Sequence, residues 1–546
     1  MLTTRPHRLE SLGPVLAECT SVVAIGGEAL PPLDPFDAIV VDGPPGPRDV
    51  AELEAITARV EAGASLVAIG AAPHGADGFW AELLGATSRG DAFPLTEWFA
   101  KAGDDASDLT ARVDGEFALV DTVEPLHPAP GTTTTLLVSR GYRDSAVLVE
   151  RAVGRGRVVT SGLGASDTGL ASAALTTVLR RALRPKGATA AKEPIGMAVV
   201  GYGPFGGMGY LHGNAAANTP GLELVAVVDT SADRRKAAED DFPGVRAYAS
   251  VTELCEDGDV GVVVVATPPA YHAGLSLELL RAGKHVACEK PLCLTVAEAD
   301  ELIATAAANE RVLTVHQNRR WDPDFLALRR AVDAGLLGDL FNVETFVGGY
   351  EHRCRAWHSE VSVSGGAVYD WGSHHVDWIL QLLGSAPTTV QTVGHKRVWH
   401  DVTNLDQLRV RMTWADGREA EFFQSDVAAI RRPKFYVQGT AGTLVGHYRP
   451  VAFERVEPGR GYVRELAHHA EAPVDLTLAR YEPGYGITET TLPVATPPRH
   501  PFHANLADHL HLGEPLAVTP ESVRRVIAVL EASQRSSDDG GTTITL

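Results

Sequence analysis

An apolar run at 195–200 (IGMAVV) leads directly into Gly201-Tyr-Gly203-Pro204-Phe205-Gly206, and a second apolar run at 222–228 (LELVAVV) ends on Asp229. Gly201 permits a tight turn, and Gly203 lets the backbone come close to a pyrophosphate. Gly206 lets the next helix pack tightly on the strand, with its N-terminal N–H groups facing the anion. Asp229 stands about 20 residues beyond the turn, where a carboxylate accepts hydrogen bonds from an adenosine ribose. A lone glycine pattern says little. Between two apolar strands and followed by an acid, it restricts the segment to a strand–turn–helix–strand unit that binds a dinucleotide, with Pro204 and Phe205 in the binding loop.

The rest of the chain must be organised around that unit. With 546 residues it exceeds one core, and length alone suggests about three or four domains. The clearest boundary is the small, polar, Pro- and Gly-containing stretch at 184–194 (RPKGATAAKEP). Three domains are expected: 1–186, 193–316 and 317–546. A formal charge of −21 with no basic stripe argues against a nucleic-acid partner or an anionic membrane. Cys19, Cys255, Cys288, Cys293 and Cys354 show no metal-type pairing, and an odd, sparse set suits a reducing compartment. There is no apolar signal core and no run of about 18 apolar residues, so the expectation is a cytoplasmic chain.

Before the boundary, 36–42 and 63–70 read as buried strands around a helix at 49–61, and 146–150 and 156–161 as later strands. From 195 to about 315 strands and helices alternate. The all-apolar 260–267 stretch fits a parallel sheet covered on both faces. Helices are expected at 275–282 and 297–308, and strands at 284–289 and 312–316. After 340 the pattern changes: 408–414 alternates with period two, Asp416-Gly417 signals a hairpin, and 419–424, 435–439 and 443–445 continue an antiparallel sheet with helices on one face. Residues 520–536 form a closing amphipathic helix.

Six linked segments carry a resemblance: the turn at 201–206, 266–272 (ATPPAYH), 289–291 (EKP), 317–323 (QNRRWDP), 365–374 (GGAVYDWGSH) and 439–444 (GTAGTL). Residues 195–546 thereby resemble the glucose-fructose oxidoreductase/inositol dehydrogenase/rhizopine-catabolism (Gfo/Idh/MocA) family of NAD(P)-dependent oxidoreductases. Residues 36–185 more weakly resemble the trehalose-utilisation ThuA-type domain, a relative of the class I amidotransferase fold. That rests on 63–70, 80–85 and 153–164; where ThuA domains carry His after the strand, this chain has Gly70-Ala71-Ala72. An amidotransferase needs a Cys nucleophile on a strand-to-helix elbow, and Cys19 precedes a strand, so a non-catalytic docking or lid module is expected. The resemblance implies an α/β architecture: a flavodoxin/amidotransferase-like domain, a Rossmann domain, then an α+β domain whose large sheet forms dimers or tetramers.

Oxidising a secondary alcohol needs a hydride acceptor and a group that takes the hydroxyl proton. Lys290 follows a strand at the ligand-binding end of a parallel sheet and can reach both a substrate hydroxyl and the nicotinamide ribose; a snorkelling surface lysine is the alternative. Asp370 and His374, four residues apart, share one face if helical, with Asp377 one turn on. The resemblance assigns His374 as catalytic base, with Asp370 and Lys290 as partners, Asp370 fixing the imidazole; His375 is structural. Thr267, Pro268 and His272 follow a central strand and are expected, with Glu289 and Lys290, to line the cofactor cleft. Gln317, Asn318, Arg320 and Trp321 lie near nicotinamide and substrate by resemblance, or form an interdomain hinge. Tyr350, Trp357, Tyr369 and Trp371 flank Gly365-Gly366 and either stack on a sugar or belong to the core. His352, His358, His374 and His375 lack a compact ligand pattern, and no metal is expected.

Asp229 favours a free ribose diol and hence NAD; Arg234 and Arg235 nearby keep NADP possible. The function expected is an NAD(P)-dependent dehydrogenase acting on a sugar, inositol or sugar derivative. Two alternatives stay open: a glycosidase-like enzyme using transient oxidation and elimination, and a non-catalytic NAD-binding sensor or scaffold.

Overall fold

The computed structural model describes residues 2–546 apart from 4–5, 17–18, 20–28, 45–47, 76–77, 91, 95–97, 104–107, 111–112, 114–115, 120, 141–142, 185–192, 204–206, 353–356, 450, 458–460, 468–473 and 495–498. The chain divides into two compact units, Met1–Ala190 and Ala191–Leu546.

In the first unit, strands Leu2–Thr3, Ala38–Asp42, Ser65–Ile69 and Gly156–Ser161 run parallel in that order. Helix Val50–Glu61 begins at an Asp49–Glu52 capping box. It packs Ile56 and Val60 on Ile39, Val41 and Leu66. Helix Ala173–Ala182 covers the other face through Leu175, Val178 and Leu179 against Val40 and Val67. Coverage on both faces explains why these strands read as continuous apolar runs. The sheet then continues with antiparallel strands Arg143–Val153, Thr133–Arg140, Trp98–Ala102 and Glu116–Leu119. The α/β expectation therefore describes the parallel half; the antiparallel extension is an addition to it.

The second unit opens with a six-stranded, wholly parallel sheet in the order 246–248, 222–228, 195–200, 262–265, 285–288, 313–315. Every residue of Val262–Val265 is fully buried, and each such valine contributes about 1.5–3 kcal/mol by leaving water. Helix Val296–Ala308 starts at a Thr295–Glu298 capping box. Strand order reverses between 195–200 and 262–265, the switch point where ligands bind in open α/β sheets.

A nine-stranded sheet follows, in the order 486–491, 475–482, 442–447, 435–439, 340–348, 419–425, 407–413, 389–395, 544–545. All its pairs are antiparallel except Leu340–Gly348 with Glu419–Ser425. One face is apolar and meets helices Gly372–Leu383 and Pro520–Asp538, joining Val376 and Ile379 to Val410 and Phe422, and Val526 and Leu530 to the same core. On the other face Arg409, Arg411 and Arg432 pair with Glu421, and Arg432 also with Glu344. This is the antiparallel, one-sided sheet that period-two alternation predicts.

Candidate active site

Strand Ile195–Val200 delivers Gly201 at φ +90°, where a Cβ would stand 2.9 Å from Thr267 Cγ2 and 3.0 Å from the Ala266 carbonyl carbon. Only glycine fits this turn. Gly203, at φ +69°, has nothing within 4 Å of its would-be Cβ, so its backbone faces open space, and its N–H donates to Asp229 Oδ2 at 3.1 Å. Asp229 also accepts from the Ser231 N–H at 2.9 Å. Its carboxylate is thus fixed beside the glycine turn. Pro204, Phe205 and Gly206 lie outside the described residues. The close helix approach expected of Gly206 is visible at Gly209, whose Cβ would lie 2.3 Å from the Tyr202 carbonyl oxygen. Arg235 reaches back to the Asp229 carbonyl oxygen at 2.8 Å. An open glycine backbone, a helix start and a positioned carboxylate fit a dinucleotide.

The strand at 285–288 carries Glu289 and Lys290 to the same end of the sheet, and the Lys290–Pro291 peptide is cis. Lys290 Nζ donates to Asp370 Oδ1 at 3.1 Å and to the Asp370 carbonyl oxygen at 3.3 Å. Both side chains keep about a quarter of their surface exposed (23% and 25%). Residues 80 apart in sequence are therefore joined. His374 is buried at 5% exposure, and its Nδ1 has no hydrogen-bond partner. An orphaned buried polar atom costs about 1–3 kcal/mol. Burial, then the positive charges of Lys290, Arg319 and His375, hold the imidazole well below the usual histidine range, with Glu289 opposing them. Lys290 and Asp370 are in contact, and Lys290 acts electrostatically on His374. The helix breaks at Trp371 between Ala367–Asp370 and Gly372–Leu383, and the Asp370 carboxylate pairs with Lys290. His375 is structural, stacked on Phe422 at 4.9 Å.

Other expected site residues have structural employment. Arg320 holds Asp377 through two buried contacts of 2.8 and 2.6 Å and also donates to the Ala517 carbonyl and Ser522 Oγ. Its guanidinium thus fastens the 318–321 turn to two helices. Trp321 packs in the core, edge-on to Phe502. Tyr369 is 3% exposed and donates to the Leu294 carbonyl at 2.6 Å, so its ring does not face a ligand. Tyr350 lies against Trp399 and lines a different groove with Ile430, Arg431 and Tyr448. His272 is buried between the Thr267 and Pro291 carbonyl oxygens at 2.6 and 2.7 Å and ties those two segments together. Thr267 and Pro268 remain half-buried at the switch point.

One residue enters that sequence reasoning missed. The guanidinium of Arg319, beside Arg320, lies over the Trp371 ring at 4.9 Å and acts on His374 electrostatically. Trp357 stacks on His358 at 3.6 Å, and Asp370 and Lys290 both act on His358, whose burial lowers it.

Glu289 turns the other way. Its Oε1 lies 2.9 Å from His212 Nε2 and 2.8 Å from His316 Nδ1, and His212 Nδ1 lies 3.0 Å from His503 Nε2. Burial would raise the Glu289 carboxyl, but His316 and His212 hold it well below the usual range.

A parallel dinucleotide fold with a lysine–carboxylate pair at its ligand-binding end fits a nicotinamide-dependent oxidoreductase. Residues 195–317 match the oxidoreductase family, NAD-binding Rossmann fold (GFO/IDH/MocA), and residues 325–445 match the GFO/IDH/MocA C-terminal domain. Residues 195–317 and 325–445 thus resemble the two domains of that family, and the chain binds NAD(P). It is similar to a scyllo-inositol 2-dehydrogenase (NADP(+)) of Bacillus subtilis, 25% identical over 64% of this chain and 95% of the relative. An inositol 2-dehydrogenase of Rhizobium meliloti is 29% identical over 51% of this chain and 83% of its own. Among solved structures, an NAD-binding protein from Listeria innocua is 28% identical with a TM-score of 0.54, covering 65% of this chain and 97% of its own.

Proposed function

We propose that the chain oxidises a secondary hydroxyl of a sugar, inositol or related polyol, or runs the reverse reduction, with Lys290, Asp370 and His374 as its catalytic residues. The observation that carries this reading is the Lys290–Asp370 contact at the end of the parallel sheet, with the Lys290 charge acting on the buried His374 imidazole. Bound NAD(P) supplies the hydride acceptor or donor. The Lys290 ammonium stabilises negative charge on the substrate oxygen, and Asp370 holds that ammonium in place. His374 takes the hydroxyl proton at Nε2, because Nδ1 is sealed from solvent. Substrate class is carried by the inositol relatives and by a 1,5-anhydro-D-fructose reductase of Ensifer adhaerens, 29% identical over 42% of this chain and 70% of its own.

Asp229 supports NAD, and Arg235 beside it leaves room for the phosphate of NADP. We divide the chain into domains 1–186, 193–316 and 317–546. The first is read as an amidotransferase-like module without a nucleophile, on the strength of its parallel strands. We place the enzyme in the cytoplasm as a dimer or tetramer formed through the polar face of the large sheet. Among the described residues no helix is long and apolar enough to cross a membrane.

Incubating the full chain with NAD+ or NADP+ and a panel of inositols, sugars and aryl glycosides tests the reading. Net accumulation of reduced nicotinamide with a polyol is expected. Aglycone release without net reduction supports transient oxidation and elimination instead, and tight cofactor binding without any turnover supports a sensor.

A further inference from the structure

Three histidines from distant parts of the second unit converge behind Glu289. His212 comes from helix Met208–Ala217, His316 from the end of strand Leu313–Val315, and His503 from helix Pro501–Leu512. All three are buried, and one ligand nitrogen from each falls within 4.8 Å of the others. Nothing in the hydride chemistry uses them.

The pattern of hydrogen bonds decides what such a cluster can hold. Glu289 Oε1 takes His212 Nε2 and His316 Nδ1. The carboxylate therefore occupies one nitrogen of each ring and turns the other, His212 Nδ1 and His316 Nε2, away from itself. A carboxylate gripping the far nitrogen of a ligating imidazole is the usual outer support of a metal-bound histidine, fixing its tautomer and orientation. His503 Nε2 already lies 3.0 Å from His212 Nδ1, and His316 Nε2 makes no hydrogen bond to a described residue. Three imidazole nitrogens bound at about 2.0–2.1 Å around a tetrahedral ion stand about 3.3 Å apart, and with one nitrogen of each ring already within 4.8 Å of the others, side-chain shifts of about 1.5 Å or less would gather them.

We propose that His212, His316 and His503 form a site for one divalent transition-metal ion of the zinc class, with Glu289 as the outer carboxylate that orients two of the three ligands. All-imidazole donors select zinc-like ions over magnesium or calcium, which take oxygen. The ion would tie the helix after the glycine turn, two strand ends and the 501–512 helix together directly behind Lys290. Its role is to position, since Glu289 and Lys290 are neighbours and a pinned Glu289 fixes where Lys290 leaves the strand. The proposal departs from the sequence expectation of no metal and stands apart from the choice of substrate.

The test uses the full chain without a histidine tag, stripped with a chelator and titrated with Zn2+ alone, then with Co2+. Uptake of one Zn2+ per chain with a rise in melting temperature is expected, as is a Co2+ form whose X-ray absorption shows three imidazole nitrogens. His316→Asn and His503→Asn should each weaken Zn2+ by more than the about 10–100-fold that loss of an outer hydrogen-bond partner costs. The exposed His127→Asn should change nothing. Failure of the wild-type chain to take up stoichiometric Zn2+, a Co2+ shell dominated by oxygen, or unchanged affinity in both site variants would overturn the proposal. The wild-type spectra decide even where a variant does not fold.

Discussion

Glu289 and Lys290 are adjacent in the chain and have opposite fates. The glutamate faces inward, with partners at 2.8 and 2.9 Å on two buried rings. Its neighbour is partly solvated and held by the Asp370 carboxylate. Both residues lie just beyond strand His285–Cys288, and a single peptide bond separates a buried network from a part-exposed ion pair.

Breaking each side tests the contrast, and the largest effect is expected on the open side. Lys290→Met should lower kcat/KM by about 10³–10⁴-fold, the upper range for a positioned acid–base or charge-stabilising group, with cofactor affinity by fluorescence titration changed by less than about threefold. An equal loss of cofactor binding would make Lys290 a cofactor clamp. Next comes Arg320→Ala. It strands the buried Asp377 carboxylate and should destabilise the fold by about 3–5 kcal/mol, read as a fall in melting temperature, while KM of surviving enzyme stays near wild type. A raised KM with intact stability would restore Arg320 as a substrate ligand. His374→Asn should cost about 10²-fold in kcat with KM little changed.

Smaller effects sharpen the same picture. Burial and nearby positive charge depress His374, so its neutral form persists as pH falls past the ordinary value of about 6.5. The acid limb of kcat/KM should therefore lie below that pH, and removing the Lys290 charge should move the His374 titration upward, as followed by NMR. An acid limb above pH 6.5 would exclude His374 as the proton acceptor. Tyr350→Ala, in its separate groove, should change kcat/KM by less than twofold.

The dinucleotide turn was legible because its requirements are local: glycine at a positive φ, a buried strand on each side, a carboxylate at strand end. Lys290 and Asp370 were legible through motifs that happen to face one another. The errors fall where only three-dimensional direction decides. Arg319 and Arg320 sit on one short 3-10 turn, where consecutive side chains diverge by about 120°, so their spacing could not say which meets the site. Tyr369 and Asp370 divide in the same way, one into the core and one to Lys290. His503 lies 291 residues from His212 and carries no local pattern, so sequence offered no signal for it beyond a histidine-rich helix. Period and composition report burial well; they do not report which of two neighbours points at a third element.

The most direct test is a crystal structure of the full chain with NAD+ and a bound inositol or non-reacting sugar analogue. Lys290 Nζ and His374 Nε2 should both lie within about 3.2 Å of one substrate hydroxyl, whose carbon faces the nicotinamide. A ligand seated in the Tyr350–Arg431 groove, or a hydroxyl that meets neither group, would contradict the assignment of this site.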